Sequence, residues 1–197
     1  MKIAKVLVGI VVVCGILFGI LVIVRIPHSI NKQKTAEQVA KIHATKLTLD
    51  DVMGRNLPPD PGAEADTTIA GVDANNNGIR DDVELAIFKE YPDSAKTRAA
   101  ALQYAMVFQV ELTQVFNSET LVAAMQEGGR ASSCFYDIDG EIRASIQRKD
   151  SFEKLVLNID ARKKKYDEIY RKYMTSYGDS AIEGKPDCDI DPASLPN

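Results

Sequence analysis

The chain opens with its longest apolar run. From Val6 to Val24, 19 residues carry no charge, and Lys5 and Arg25 bracket them. A helix of that length spans about 28 Å, close to the hydrocarbon thickness of a bilayer. The pattern therefore predicts a transmembrane signal anchor over residues 6–24 behind a short tail, residues 1–5. The alternative is a cleaved secretory signal with Lys2 and Lys5 as its basic region, leaving a secreted protein. Against it, the run is long for a signal, it ends in "VIVRIPHS" without a small-x-small step, and Cys14 in "VVVC" lacks the small residue that precedes a lipidated cysteine.

Polar and apolar positions then mix through "INKQKTAEQVAKIHATKLTL", which reads as a solvated helical stalk carrying His28 and His43. "GRNLPPDPGAEADTTIAG" follows, and its prolines and glycines predict a loop, so residues 25–71 are assigned to stalk and Pro-rich linker. A period of 3.6 residues dominates from there to Gly178 and predicts a helical domain over residues 72–178 with about four to five helices. "DDVELAIFKEY" is a short helix stopped by Pro92. "AKTRAAALQYAMVFQVELTQVF", capped by Asp93 or Ser94, is apolar nearly all round and is the expected core helix.

"SETLVAAMQEGG" predicts a helix from a Ser118 cap to a stop at Gly128 and Gly129, and Asp139 and Gly140 mark a turn. From Asp150, "SFEKLVLNIDARKKKYDEIYRKYMTSYG" reads as one long amphipathic helix. Its stripe of Tyr166, Tyr170, Tyr173 and Tyr177 is expected to face the core, with Arg162 to Lys165 on a solvated face. Residues 179–197 are an irregular, proline-rich tail. No strand alternation persists, and the fold class is mostly α.

Charge and cysteines add an address. Without Lys2, Lys5 and Arg25 the chain keeps 21 basic against 28 acidic residues, a formal charge of −7, which disfavours nucleic acid as a partner. Basic residues flank the apolar run almost evenly and leave orientation open. Cys134 and Cys188, the only cysteines outside the run, suit a disulfide in an oxidising compartment. The expected location is the bacterial inner membrane, single-pass through residues 6–24, with the domain on the periplasmic side and a protein of the envelope as its partner.

One motif carries chemistry. "DANNNGIRDDVE" places oxygen donors at positions 1, 3, 5, 7, 9 and 12 of a twelve-residue loop: Asp73, Asn75, Asn77, the Ile79 carbonyl, Asp81 and Glu84, with Gly78 at position 6. Calcium takes six to eight hard oxygen ligands at this spacing, the last acid supplying two. The competing reading is a polar turn ahead of a helix whose amino terminus favours acids, but that does not account for donors at 1, 3 and 5 before a glycine. The loop resembles the EF-hand-like calcium loops of dockerin modules and thrombospondin type 3 repeats, and the resemblance implies calcium as cofactor and a helix leaving the loop. It covers residues 73–84 only. Two departures stand out: "TTIAGV" precedes the loop in place of an incoming helix, and Arg80 takes the eighth position, usually aliphatic. The run from this loop through "NIDARKKKYDEIYRKY" also resembles an uncharacterised family of bacterial envelope proteins, which implies location alone. A dissociation constant near 10⁻⁴ to 10⁻³ M is expected for so lightly charged a site.

No catalytic constellation accompanies the loop. Both histidines lie in the stalk, and Ser132 to Cys134 has no base nearby, so Cys134 is expected to be bonded and not nucleophilic. The resulting expectation is a non-enzymatic binding or structural module of the envelope. The alternatives are a cell-wall or glycan hydrolase using Asp137, Asp139 and Glu141, or an inhibitor or immunity-type partner of a secreted enzyme. "DIDGE" is no second calcium loop, because it puts Phe135 at position 1 and Ile146 at position 12.

Overall fold

The structure, a computed structural model, describes residues 2–140, 142–175 and 184–196, without the side chains of 2–8, 10–11, 20–24, 27–28, 139 and 142–145. Regular structure among the described residues is all helical, as the mostly α reading requires. The chain divides into two compact units, Met1–Gln38 and Val39–Asn197. Helix α1, Lys2–Ala44, supplies all the described structure of the first. Among the described residues no helix is long and apolar enough to cross a membrane. The expected span falls largely on residues whose side chains lie outside the described part. Its described apolar side chains Val12, Val13, Ile16, Leu17 and Phe18 stand 54–69% exposed.

In the second unit α4, Ala95–Gln114, is the central helix, packed on α2 (Leu49–Met53), α3 (Asp81–Glu90), α5 (Ser118–Asp139), α6 (Ile142–Val156) and α7 (Asp160–Tyr173). The Ser94 hydroxyl accepts from the Thr97 N–H at 3.3 Å, an N-cap that satisfies one orphan donor of the helix. Its alanines let neighbours approach closely: Ala99, Ala100, Ala101 and Ala105 are buried with Leu102, Met106 and Phe108. The tyrosine stripe of α7 does turn inward, where Tyr166 packs on the core around α4 and Tyr170 and Tyr173 pack on a second cluster with Ile42, Val110 and Leu121. Tyr177 lies outside the described residues.

Three expectations are corrected. Helix α5 does not stop at Gly128 and Gly129 but runs to Asp139. Gly128 faces α4, where a Cβ would come within 3.4 Å of Val107 Cγ1, so the small residue serves helix contact; Gly140, at φ +67°, is the stop. The amino-terminal cap is Asn117 rather than Ser118, paired reciprocally with Thr120. The single helix expected from Asp150 is two, broken at 157–159 between α6 and α7.

The end of the stalk and the carboxy-terminal tail are both part of the folded body. Ile42 is 1% exposed, and His43 Nδ1 lies 2.7 Å from Glu127 Oε1 rather than in solvent. The described part of the tail is held by more than its disulfide: Gln103 donates to the Asp187 carbonyl at 2.8 Å and accepts from the Asp189 N–H at 2.9 Å. Arg130 adds bonds to the Pro186 carbonyl at 2.7 Å and to Asp189 Oδ1 at 2.9 Å.

Cys134 and Cys188 form the expected disulfide, with Cα atoms 4.8 Å apart and a sequence separation of 54. Closing a loop of that size in the unfolded chain is worth at most about 4 kcal/mol in the chain-entropy model. Replacing both cysteines by serine should lower urea stability by about 2–4 kcal/mol while far-UV dichroism stays helical, because Gln103 and Arg130 still hold the tail. A double variant as stable as the parent would mean that the bond closes nothing the other contacts do not already hold.

Candidate metal centre

The loop between Val72 and α3 is built by its own polar side chains. Asp73 accepts from two backbone donors, the Asn77 N–H at 3.1 Å and the Gly78 N–H at 3.0 Å, and so pulls the chain into a tight arc. Asn75 Oδ1 shares the Asn77 N–H at 3.4 Å, which brings it beside Asp73, and Asn77 Oδ1 accepts from the Ile79 N–H at 2.9 Å. The arc needs two left-handed residues, Asn76 at φ +57° and Gly78 at φ +85°. Asparagine tolerates that region better than other side chains, and glycine does so without strain. The Asp81 N–H reaches the Val72 carbonyl at 2.8 Å and closes the ends of the loop, and the Asp81 carboxylate accepts from the Ala74 N–H at 3.0 Å.

Hydrogen bonds thus link Asp73, Asn75 and Asn77 through the loop backbone and reach Glu84 through the Asn75 amide nitrogen. Asn75 Nδ2 donates to Glu84 Oε2 at 3.0 Å, which joins position 3 to position 12. The Asn77 amide faces the carboxyls of Glu84 and Asp51. The Ile79 side chain is fully buried in the core, so the backbone carbonyl is the oxygen it has to offer. Asp81 is engaged with Ala74 and turned to the loop's own backbone. Among the described residues no three His, Cys, Asp or Glu side chains stand close enough to hold a metal. Any cation here would depend on the carboxamides as much as on the acids.

The centre of the arrangement is electrostatically unfinished. Glu84 is fully buried, and its Oε1 has no hydrogen-bond partner. Asn77 Nδ2 is likewise buried and completes no hydrogen bond. Burial pushes the Glu84 carboxyl up to about 7, against the hydrogen bond from Asn75 and the nearby Asn77 amide, with the charges of Asp51 and Asp81 adding to the rise. Burial also raises Asp81, opposed by the Ala74 N–H. Asp51, on α2, stays below the usual range because hydrogen bonds from Thr48 and Asn56 outweigh its burial. A groove of about 570 Å³ opens over Asp51, Asp73, Asn75 and Asn77, with Lys41 and Lys46 also lining it.

The residues that hold this loop are two arginines, neither of which the sequence pattern marked as buried. Arg80 is 1% exposed. It pairs with Asp82 at 2.8 Å through Nη2 and gives Nη1 to the Val156 carbonyl at 3.0 Å and Nη2 to Asn158 Oδ1 at 3.3 Å. Gly71, at φ +66°, leaves room for it, since a Cβ there would collide with the Arg80 side chain. Arg162, expected on a solvated face, has no exposed surface. It donates to the carbonyls of Ala65, Thr68 and Ile69 and to Asp66 Oδ1 and Asn158 Oδ1. The exposed carboxyl of Asp66 is held below its usual range, chiefly by Arg162 and then by Asn158. A signal did exist: Arg162 lies three residues after Ile159 and four before Tyr166, on the stripe and not across from it.

Of the carboxylates considered for hydrolysis, Asp137 is exposed on the last turns of α5, and the Asp139 side chain and Glu141 lie outside the described residues. Compared with protein-family models, with curated proteins and with solved structures, the chain finds no match. Arg162→Met should cost about 3–5 kcal/mol, because it strips three carbonyls and Asp66 of their donor at a buried site. Lys163→Ala, at an exposed neighbour, should stay within about 0.5 kcal/mol. Urea titrations of the two variants make the comparison, and equal midpoints would deny Arg162 its structural role.

Proposed function

We propose that the protein is a calcium-binding helical module, anchored by residues 6–24 in the bacterial inner membrane with its domain on the periplasmic side, and acting by binding or scaffolding rather than catalysis. The observation that carries the reading is the Glu84 carboxyl: fully buried, one oxygen unpartnered, and bonded through Asn75 to the rest of the oxygen set. A buried carboxylate oxygen without a partner costs several kcal/mol unless a positive charge meets it. Asp73, Asn75, Asn77 and Glu84 would supply side-chain oxygens, Ile79 its carbonyl, and Asp81 an outer contact through water. Calcium, when bound, supplies the countercharge and cross-links the linker to α3.

The structural consequence follows from the chain's own residues. With Asp73 and Glu84 drawn together, the loop is rigid between the Pro-rich segment and the amino terminus of α3, and Asp81, Asp82 and Glu84 in that first turn lose their mutual repulsion. What supports the anchor is the charge-free run, together with apolar side chains in α1 that protein atoms leave more than half exposed. Such a helix, apolar all round, suits a lipid environment. An envelope protein is the partner class that this address favours.

With a dissociation constant near 10⁻⁴ M, one-millimolar calcium should stabilise the domain by about 1.4 kcal/mol and ten-millimolar by about 2.7 kcal/mol, read as a rise in melting temperature over chelator. Glu84→Gln should abolish most of the rise. Asn76→Gly, which keeps the left-handed turn at a non-ligand position, should retain it. Coincident melting curves in chelator and in calcium would reduce the loop to a polar turn. The anchor has its own test: intact mass of protein purified from its membranes should include residues 1–24, and a mature start between about residues 18 and 35 would replace the anchor with a cleaved signal.

A further inference from the structure

Away from the loop, α4, α5 and α7 enclose a cavity of about 190 Å³ between Tyr104, Phe108 and Glu111 on α4, Gly128 on α5, and Tyr166 and Tyr170 on α7. One water needs about 10–15 Å³ by the same kind of measure, so the space suits a small organic molecule. Four of its nine lining residues are aromatic, with Val107, Met125, Gly128 and Ser132 completing the wall beside Glu111. Ring centroids are 5.3 Å apart for Tyr104 and Phe108, 5.7 Å for Phe108 and Tyr166, and 4.7 Å for Tyr166 and Tyr170. The three tyrosines are half-buried, so the cavity communicates with solvent.

Glu111 is the one acid in this lining and is 4% exposed. Its hydrogen bond comes from the Tyr170 hydroxyl, which donates to Oε1 at 2.7 Å. Among the described residues no lysine, arginine or histidine forms an ion pair with it. Burial pushes its carboxyl up to about 7, the Tyr170 bond opposing and the charge of Glu153 on α6 adding. The other charges nearby also come from α6: Glu153 and Asp150 act on Tyr104, and Lys149 reaches Ser132 Oγ at the cavity's edge at 3.4 Å.

We propose that this cavity is a binding site for a small organic ammonium ion. Ring faces present negative charge and attract a cation within about 6 Å, most strongly where water is excluded. Glu111 supplies the full countercharge, and Tyr170 holds the carboxyl in position. The site disfavours other classes. A neutral ligand gains nothing from the ionised carboxyl, an anion would meet Glu111, Glu153 and Asp150, and a metal ion would find one carboxylate where it requires several oxygens.

The test uses the full chain in nonionic detergent and two probes of equal shape, choline and its neutral carbon isostere 3,3-dimethylbutan-1-ol, titrated by ligand-observed NMR at about pH 8. Choline should bind at least about tenfold more tightly than the alcohol. Glu111→Gln should lose that preference while keeping its helical dichroism and melting transition, and Glu84→Gln should leave it unchanged, which separates this site from the acidic loop. If Glu111→Gln fails to fold, the parent's pH profile serves instead. Binding requires the ionised acid, so choline affinity should fall by up to about tenfold per unit as pH drops below about 7, while the alcohol's stays level. Equal affinity for the two probes, no choline binding at about ten millimolar, or a preference that survives Glu111→Gln would each overturn the proposal.

Discussion

Two buried guanidinium groups that share one asparagine hold the second unit's irregular half in place. Arg80 and Arg162 both donate to Asn158 Oδ1, and between them they take the carbonyls of Ala65, Thr68, Ile69 and Val156. Those carbonyls lie in turns and at a helix end, where the backbone has no regular partner, and each would be costly if buried unpaired. An arginine solves the problem because its five donors are fixed in one plane, and it cannot shed its charge to escape burial. The break between α6 and α7 follows from the same constraint: Val156 gives its carbonyl to Arg80 and Asn158 turns its side chain to both arginines, so the α-helical ladder is interrupted there.

This packing explains why a proline-rich segment can serve as one wall of a site. The linker enters the fold through Asp66, Thr68 and Ile69, which bond to Arg162, and leaves it through Gly71, which makes room for Arg80. Asp73 then begins the oxygen-rich arc within two residues of a fixed point. The opposite end of the arc is α3, whose Val83 and Ile87 are buried against the core. Glu84 sits between them in sequence and is carried into the interior by their burial. Its unpartnered oxygen is therefore a product of where the helix must lie.

A second polar hub works on the far side of α4. Glu127 receives Lys185, His43 and Arg130, and their hydrogen bonds together outweigh its burial and hold its carboxyl below the usual range. The stalk's end, α5 and the tail thus meet at one carboxylate, with the disulfide beside it. Glu111 shows the contrasting solution on the same central helix. It is also buried, meets a single tyrosine hydroxyl in place of Lys185, His43 and Arg130, and faces an aromatic-lined space.

Residue type at local spacing determined the helical class, the central helix, the inward turn of Tyr166, Tyr170 and Tyr173, and the order of donors in Asp73 to Glu84, while the choice of Ser94 over Asp93 as the cap came from the fold. Cys134 and Cys188 could be paired by count. Tertiary structure decided what spacing does not encode. Gly128 reads locally as a stop and becomes a contact point once α4 lies against it. Arg162 reads as solvated charge and Arg80 as an odd residue in a calcium loop, yet both are among the largest fully buried side chains of the described residues, since only the folded chain brings several orphan carbonyls within reach of one guanidinium. The cavity around Glu111 belongs to this second kind: its walls come from α4, α5 and α7, and no segment of the sequence contains more than a part of it.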